Sequence, residues 1–255
     1  MVHLGIIPDG NRRWCKKNNR ELTKIIDHWL YNMVFKYLQE IVNQTIENEK
    51  CKDIINNITF DDIILETDKI KKIKSNFVPL SDITEISIYI SSIDNMSRTD
   101  NTIQIGYQFL KRLDYLVNNL DKVNDININK HKLNLLLSKI KLNLIGELDK
   151  IPSEIKKIFK KYQNCSKEQY VINIAMAYNY LNDLTIEPSQ FYKRNQSNID
   201  IVFRSGGEMR LSGFFPTKVL YSELYFCNKL WPDIKLDDIK DCLLEYYRRN
   251  RRFGK

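Results

Sequence analysis

Short apolar runs alternate with longer amphipathic stretches along this 255-residue chain, and that alternation restricts it to an α/β architecture. Residues 4–7, 85–91, 140–145, 169–176 and 199–203 read as buried strands, and 221–226 is strand-like. Between them, residues 22–42 and 101–120 carry apolar side chains at helical spacing, and a further helix is expected after Pro152. Strands separated by helices predict one mainly parallel central sheet flanked by helices, with function at the strands' carboxyl ends. No repeat or linker divides the chain, so a single domain over 1–255 is expected. It carries a polar, Asn- and Lys-rich surface insertion at about 43–80.

Two stretches concentrate the chemistry. The first strand runs into Pro8-Asp9-Gly10-Asn11-Arg12-Arg13, ahead of a helix expected to start near Trp14. A strand that breaks into a glycine-containing turn and then a helix aims backbone N–H groups at one point, which suits phosphate. Arg12 and Arg13 add forked cationic donors there. Asp9 is an acid where an anion site would not want one, unless a divalent metal reconciles the two. The second stretch follows the fifth strand: Arg204-Ser205-Gly206-Gly207-Glu208-Met209-Arg210-Leu211-Ser212-Gly213. Of only eight glycines in the chain, four (Gly10, Gly206, Gly207, Gly213) fall in these two stretches, which marks both as special turns. Arg204, Arg210 and Ser212 have the donors to hold a diphosphate. Downstream, Glu223 is a lone acid in an apolar run, explained either by a salt bridge or as a second metal ligand.

A net charge of +8 sends the chain towards anionic partners, and much of it sits in the terminal Arg248-Arg249-Asn250-Arg251-Arg252-Phe253-Gly254-Lys255. No helix-turn-helix, zinc-finger or RNA-binding signature accompanies it, so small anions are expected rather than nucleic acid. Five cysteines without a Cys-x-x-Cys pair point to free thiols in a reducing compartment. No apolar run approaches transmembrane length, so a cytoplasmic protein is expected, touching a membrane at most peripherally.

Taken together these stretches resemble the cis-prenyltransferases, the family of undecaprenyl and dehydrodolichyl diphosphate synthases. Residues 3–14 resemble the family's first motif, and 86–98 its strand and loop containing Ser, Asn and Arg. Residues 200–216, 221–226 and 230–234 are similar to its last blocks, and the chain ends in a similar basic Arg-x-Gly. The resemblance implies repeated condensation of isopentenyl diphosphate with an allylic diphosphate such as farnesyl diphosphate. The reaction would use Mg2+, a homodimer, and an apolar tunnel for the growing tail.

Carried over by position, Asp9 is implied as the acid that handles magnesium and the allylic diphosphate, with Glu223 as the second metal ligand. Gly10, Asn11, Arg12, Arg13, Lys24 and Arg98 are implied as the allylic cradle. Asn95, Ser92 and His28 are implied near the condensation centre, and Arg204, Arg210 and Ser212 as the isopentenyl diphosphate site. Arg252 and Gly254 would reach a partner's active site. Pro8 stands where the family usually has Met, and Lys24 where it has an arginine.

Two other readings compete. Asp237-Asp238-Ile239-Lys240-Asp241 fits the acidic pattern of the all-helical trans-prenyltransferases, but those need two such motifs, and here the acids open a helix whose dipole they complement. A non-catalytic partner subunit of a prenyltransferase complex is the other alternative. Such subunits generally lack the first-motif aspartate and arginine pair that this chain keeps.

Overall fold

The computed structural model describes residues 1–21, 25–26, 36–37, 40, 80–97, 102–119, 137–163, 169–185 and 197–252. Its strands are β1 (Val2–Ile7), β2 (Ile83–Tyr89), β3 (Ile140–Ile145), β4 (Tyr170–Ala175), β5 (Ile201–Arg204) and β6 (Glu223–Phe226). Its helices are α1 (Asn11–Asn18), α2 (Thr102–Asn118), α3 (Ser153–Tyr162), α4 (Tyr180–Leu184) and α5 (Leu236–Arg248). The six strands form one sheet in the order β3-β4-β2-β1-β5-β6, and every pair is parallel. This is the expected α/β sheet. The expected insertion lies outside the described residues except for Leu80, as does most of the helix expected over 22–42. None of the described helices is long and apolar enough to cross a membrane.

The strand order explains where a site can form. From β1 the chain proceeds to β2 on one side, then crosses back to β5 on the other. Connections therefore diverge above the carboxyl ends of β1 and β5, leaving a crevice there. Ile7 pairs with Arg204 on the last rung of that strand pair, so both chemically rich stretches begin at its mouth.

The two faces of the sheet are filled differently. Leu4 and Ile6 of β1 face the helices, packing with Leu110 of α2, Ile155 of α3 and Ile239 of α5 in the main core. Ile7, Ala175 and Val202 face the other way, against Phe214, Phe215 and Tyr178. Gly5 serves that second layer by having no side chain, since a Cβ there would stand 2.7 Å from the Phe214 ring. Towards the strands' amino ends the same face turns polar. His3 Nε2 and Ser87 Oγ lie 2.8 Å apart, and Asn173 donates to Ser87 Oγ at 3.1 Å and to Glu85 at 2.7 Å. Asn143 extends the row by donating to Asn173 at 2.9 Å, so buried and half-buried polar groups satisfy one another across four strands.

Candidate active site

The turn after β1 is tighter than its sequence suggests. Gly10 adopts a left-handed φ of 100°, and α1 begins at once at Asn11 rather than near Trp14. A side chain at Gly10 would also meet Leu230 at 2.8 Å, so glycine is required on both counts. The early start puts Arg12 and Arg13 in the first turn of α1, at the positive end of its dipole. Asn11 secures the turn, its side-chain amide donating to Pro8 O at 2.9 Å. The backbone carbonyl of Asp9 is fixed from two directions, accepting from Ser205 Oγ and Trp231 N at 2.9 Å each.

The second stretch folds over this turn. Arg204 is 3 % exposed, and its Nη2 donates to Asp9 Oδ2 at 2.8 Å. Its Nη1 donates to Ser212 Oγ at 3.0 Å and to the carbonyl of Arg210. Asp9 Oδ1 accepts the Gly10 amide at 2.6 Å and lies 3.7 Å from Arg13 Nη2. Arg204 and Arg210, expected to share one role, sit in different surroundings. Arg204 is enclosed and spent on protein partners, whereas Arg210 is 61 % exposed and lies open to the cleft. Ser212 turns its hydroxyl towards Arg204, and its carbonyl accepts from Tyr89 at 3.2 Å. Burial pushes the Tyr89 phenol up to about 12, so it remains a neutral donor.

Asp9, Arg12, Arg13, Lys16, Glu208 and Arg210 together line an open polar cleft. Four cations against two carboxylates leave it positive, as an anion site requires. Glu208 is a member that sequence reasoning missed. Its carboxylate pairs with Arg210 Nη1 and stands 3.6 Å from Arg13 Nη1, bridging cations from the two halves of the site. The signal was present, since an acid between two glycines and an arginine is as anomalous as Asp9.

Beneath this cleft lies a cavity of about 210 Å³ with an almost wholly apolar wall. Pro8 lines the cavity and the adjacent Asp9 lines the cleft. From Pro8 the wall runs down the helix-facing side of the sheet through Ile90, Ile88 and Ile86 to Tyr162 and Tyr170. A polar, cationic mouth thus opens beside an apolar pocket.

The remaining expected site residues divide three ways. Ser92 and Asn95 are brought together beyond the carboxyl end of β2, with Ser92 N donating to Asn95 Oδ1 at 3.0 Å and Asn95 N to Ser92 Oγ at 3.3 Å. Lys24, His28, Arg98 and Gly254 lie outside the described residues, and Arg252 is exposed. Glu223 is not brought to Asp9 within this chain. It opens β6 opposite Ile201, three rungs before Arg204, which is about 10 Å back along the strand. Its carboxylate there accepts from Arg249 Nη1 at 2.9 Å, the salt-bridge alternative for that residue.

Whether magnesium suits the cleft can be judged from its donors. Among the described residues no group of three or more His, Cys, Asp or Glu side chains forms a metal cage. Magnesium commonly takes one or two carboxylates and completes its shell with substrate phosphates and water. Asp9, one of two partly exposed carboxylates set among the cations of this cleft, fits that second mode.

Comparison with known proteins gives the chain's family. A family model described as "Putative undecaprenyl diphosphate synthase" matches residues 67–254. The chain is 30 % identical to the tritrans,polycis-undecaprenyl-diphosphate synthase (geranylgeranyl-diphosphate specific) of Sulfurisphaera tokodaii, covering 99 % of this chain and 87 % of that one. It is 26 % identical to the isoprenyl transferase of Rickettsia prowazekii, covering 100 % and 98 %. The fold is shared with lavandulyl diphosphate synthase from Lavandula x intermedia, at TM-score 0.63, 18 % identity and coverage of 99 % and 98 %. The chain belongs to the undecaprenyl diphosphate synthase family of cis-prenyltransferases.

Proposed function

We propose that this protein condenses isopentenyl diphosphate with an allylic diphosphate and extends the product to a cis-polyprenyl diphosphate. The observation that carries the reading is the junction at Pro8 and Asp9, where one residue lines an apolar cavity and the next a cationic cleft. A molecule with a diphosphate head and a hydrocarbon tail matches both surfaces at once.

Arg12, Arg13 and the first turn of α1 hold the allylic diphosphate, and Arg210 takes the diphosphate of isopentenyl diphosphate. Arg204 is the positioning residue between them, because one guanidinium fixes both the Asp9 carboxylate and the 210–212 backbone. The allylic C–O bond breaks, and diphosphate leaves with a charge that the guanidiniums stabilise most as it grows. The C4 carbon of isopentenyl diphosphate bonds to the allylic C1, and a C2 proton is lost to restore the double bond. Asp9 would hold magnesium, which supplies further charge neutralisation on diphosphate oxygens. In this reading Ser92 and Asn95, hydrogen-bonded to each other beyond the carboxyl end of β2, serve the condensation step.

Each added unit places five carbons in the cavity, at about 0.8 kcal/mol for each buried CH₂, which favours keeping the tail in the protein between cycles. A homodimer is part of the same reading. The tail bearing Arg252 leaves the fold beside Asp200, which precedes β5, whereas Arg204 ends that strand, about 13 Å away along its axis. An arm rooted at that end is better placed to serve a second copy than its own cleft. Cytoplasmic residence, with product released at a membrane surface, completes the proposal.

The test is incubation with labelled isopentenyl diphosphate, magnesium and allylic primers from five to twenty carbons, with the product sized by chromatography. Incorporation into a butanol-extractable polyprenyl diphosphate with cis double bonds supports the reading. No incorporation with any primer overturns it.

A further inference from the structure

The chain beyond α5 is held by two arginines at the end of the sheet opposite the cleft. Arg249 leaves the helix in an extended conformation, φ −79° and ψ 137°. Its Nη1 donates to Glu223 Oε2 at 2.9 Å and to the carbonyl of Leu224 at 3.0 Å, and its Nε to Glu245 at 3.3 Å. Two residues on, Arg251 Nη1 donates to Asp200 Oδ1 at 2.7 Å and Tyr246 Oη at 2.8 Å, and its Nη2 to the carbonyl of Tyr221 at 3.3 Å. The Arg251 guanidinium also lies 5.4 Å from the centre of the Tyr246 ring. The second oxygen of Asp200 accepts the His3 amide at 2.9 Å, so this acid joins the arm to the start of β1.

A solvated, frayed end would not show this pattern. Arg249 and Arg251 turn inward while Arg248, Asn250 and Arg252 are exposed, the two-residue alternation of an extended strap laid on the fold. The alternation also decides where Arg252 goes. With Arg251 bound inward, the next guanidinium is presented away from its own chain.

We propose that the pairs Asp200–Arg251 and Glu223–Arg249 form a clamp whose role is to position the C-terminal arm, so that Arg252 is presented to the cleft of a second copy of this chain. The proposal rests on the reading that the arm contributes to a neighbouring site. It makes all four clamp residues positioning residues and gives Glu223 a role at the arm.

The test places Arg249→Ala and Arg251→Ala, singly and together, in the full chain and in a chain ending at residue 251. Turnover, KM for isopentenyl diphosphate and hydrogen exchange of the arm are measured in each. In the full chain the double variant is expected to lower kcat about tenfold or more and to speed exchange over 249–255. In the shortened chain the same changes should alter kcat less than about twofold, because there is no longer an arm to misplace. Equal losses in both chains, or unchanged exchange in the double variant, overturn the positioning role alone. A shortened chain with full turnover overturns the reading that the arm serves a site, and the clamp's functional role with it.

Discussion

Arg204 and Asp9 are 195 residues apart in sequence, yet the buried guanidinium of one holds the carboxylate of the other at 2.8 Å. That bond ties the turn after β1 to the loop after β5, so the two halves of the cleft cannot move independently. Its Nε is buried without a hydrogen-bond partner, and the remaining donors depend on Asp9, Ser212 and the Arg210 carbonyl.

Asp9→Ala is therefore expected to do two things. Turnover should fall by about a thousandfold or more, since a metal-holding carboxylate in the transition state is lost. Stability should fall too, by about 1–3 kcal/mol, because Arg204 loses a buried partner. Single-turnover kinetics and urea melts separate the effects, and near-normal turnover would refute the assignment.

Arg204 and Arg210 should respond differently to removal. Arg210→Ala should raise KM for isopentenyl diphosphate with the melting temperature unchanged, because its side chain is mostly solvated. Arg204→Ala should lower kcat and the melting temperature together, through Asp9 and Ser212. Identical profiles for the two variants would contradict this division.

Glu208 lies 3.6 Å from Arg13 and pairs with Arg210. Replacing it with Gln removes a competing anion, so inorganic pyrophosphate should bind more tightly to Glu208→Gln than to the parent. Calorimetry reads this directly, and weaker binding would mean that the carboxylate orders the cations rather than competing for them.

Product length should respond to Ile90, which lines the apolar cavity just beyond β2. The parent is expected to stop at short to medium chains of fewer than about ten isoprene units, limited by a branched wall in a packed interior. Ile90→Ala should lengthen the product by opening that wall. Chromatography showing the same product from both proteins would remove Ile90 from the determinants.

His3 gives the fold an acid-sensitive point. Burial lowers its pKa, against the opposing pull of Glu85, hydrogen bonds from the ring to the 197–198 backbone, and Asp200. The folded state thus prefers the neutral ring, while the unfolded chain takes up its proton near pH 6.5. Stability from this residue is fully present above that value and declines as pH falls below it towards the lower folded pKa. His3→Gln should flatten the urea midpoint between pH 6.5 and 5; an unchanged slope would show that other groups set it.

The sequence was most legible where chemistry is contiguous. Asp9, Arg12 and Arg13 fall within five residues and line one cleft, and the alternation of strands and helices predicts the parallel sheet. What stayed hidden depends on pairings across long separations. Nothing local to Arg204 says that it will be buried against Asp9, or that Arg249 will occupy Glu223. Glu208 was overlooked because its meaning comes from Arg13, on another strand's turn. Helix α1 began three residues early because the left-handed Gly10 allows the chain to turn without a longer loop.

The position of β1 bears on how the molecule is made. It precedes the other five strands in the chain, yet it belongs in the middle of the sheet, between β2 and β5. His3 meets its partner Asp200 only after 197 further residues have been synthesised. Until then one edge of β1 has no strand to pair with, and such distant closures make folding slow. A nascent chain truncated before residue 200 would expose the apolar flank of its own central strand, an invitation to chaperones or to aggregation. The crevice that does the chemistry is for the same reason the last part of the sheet to exist.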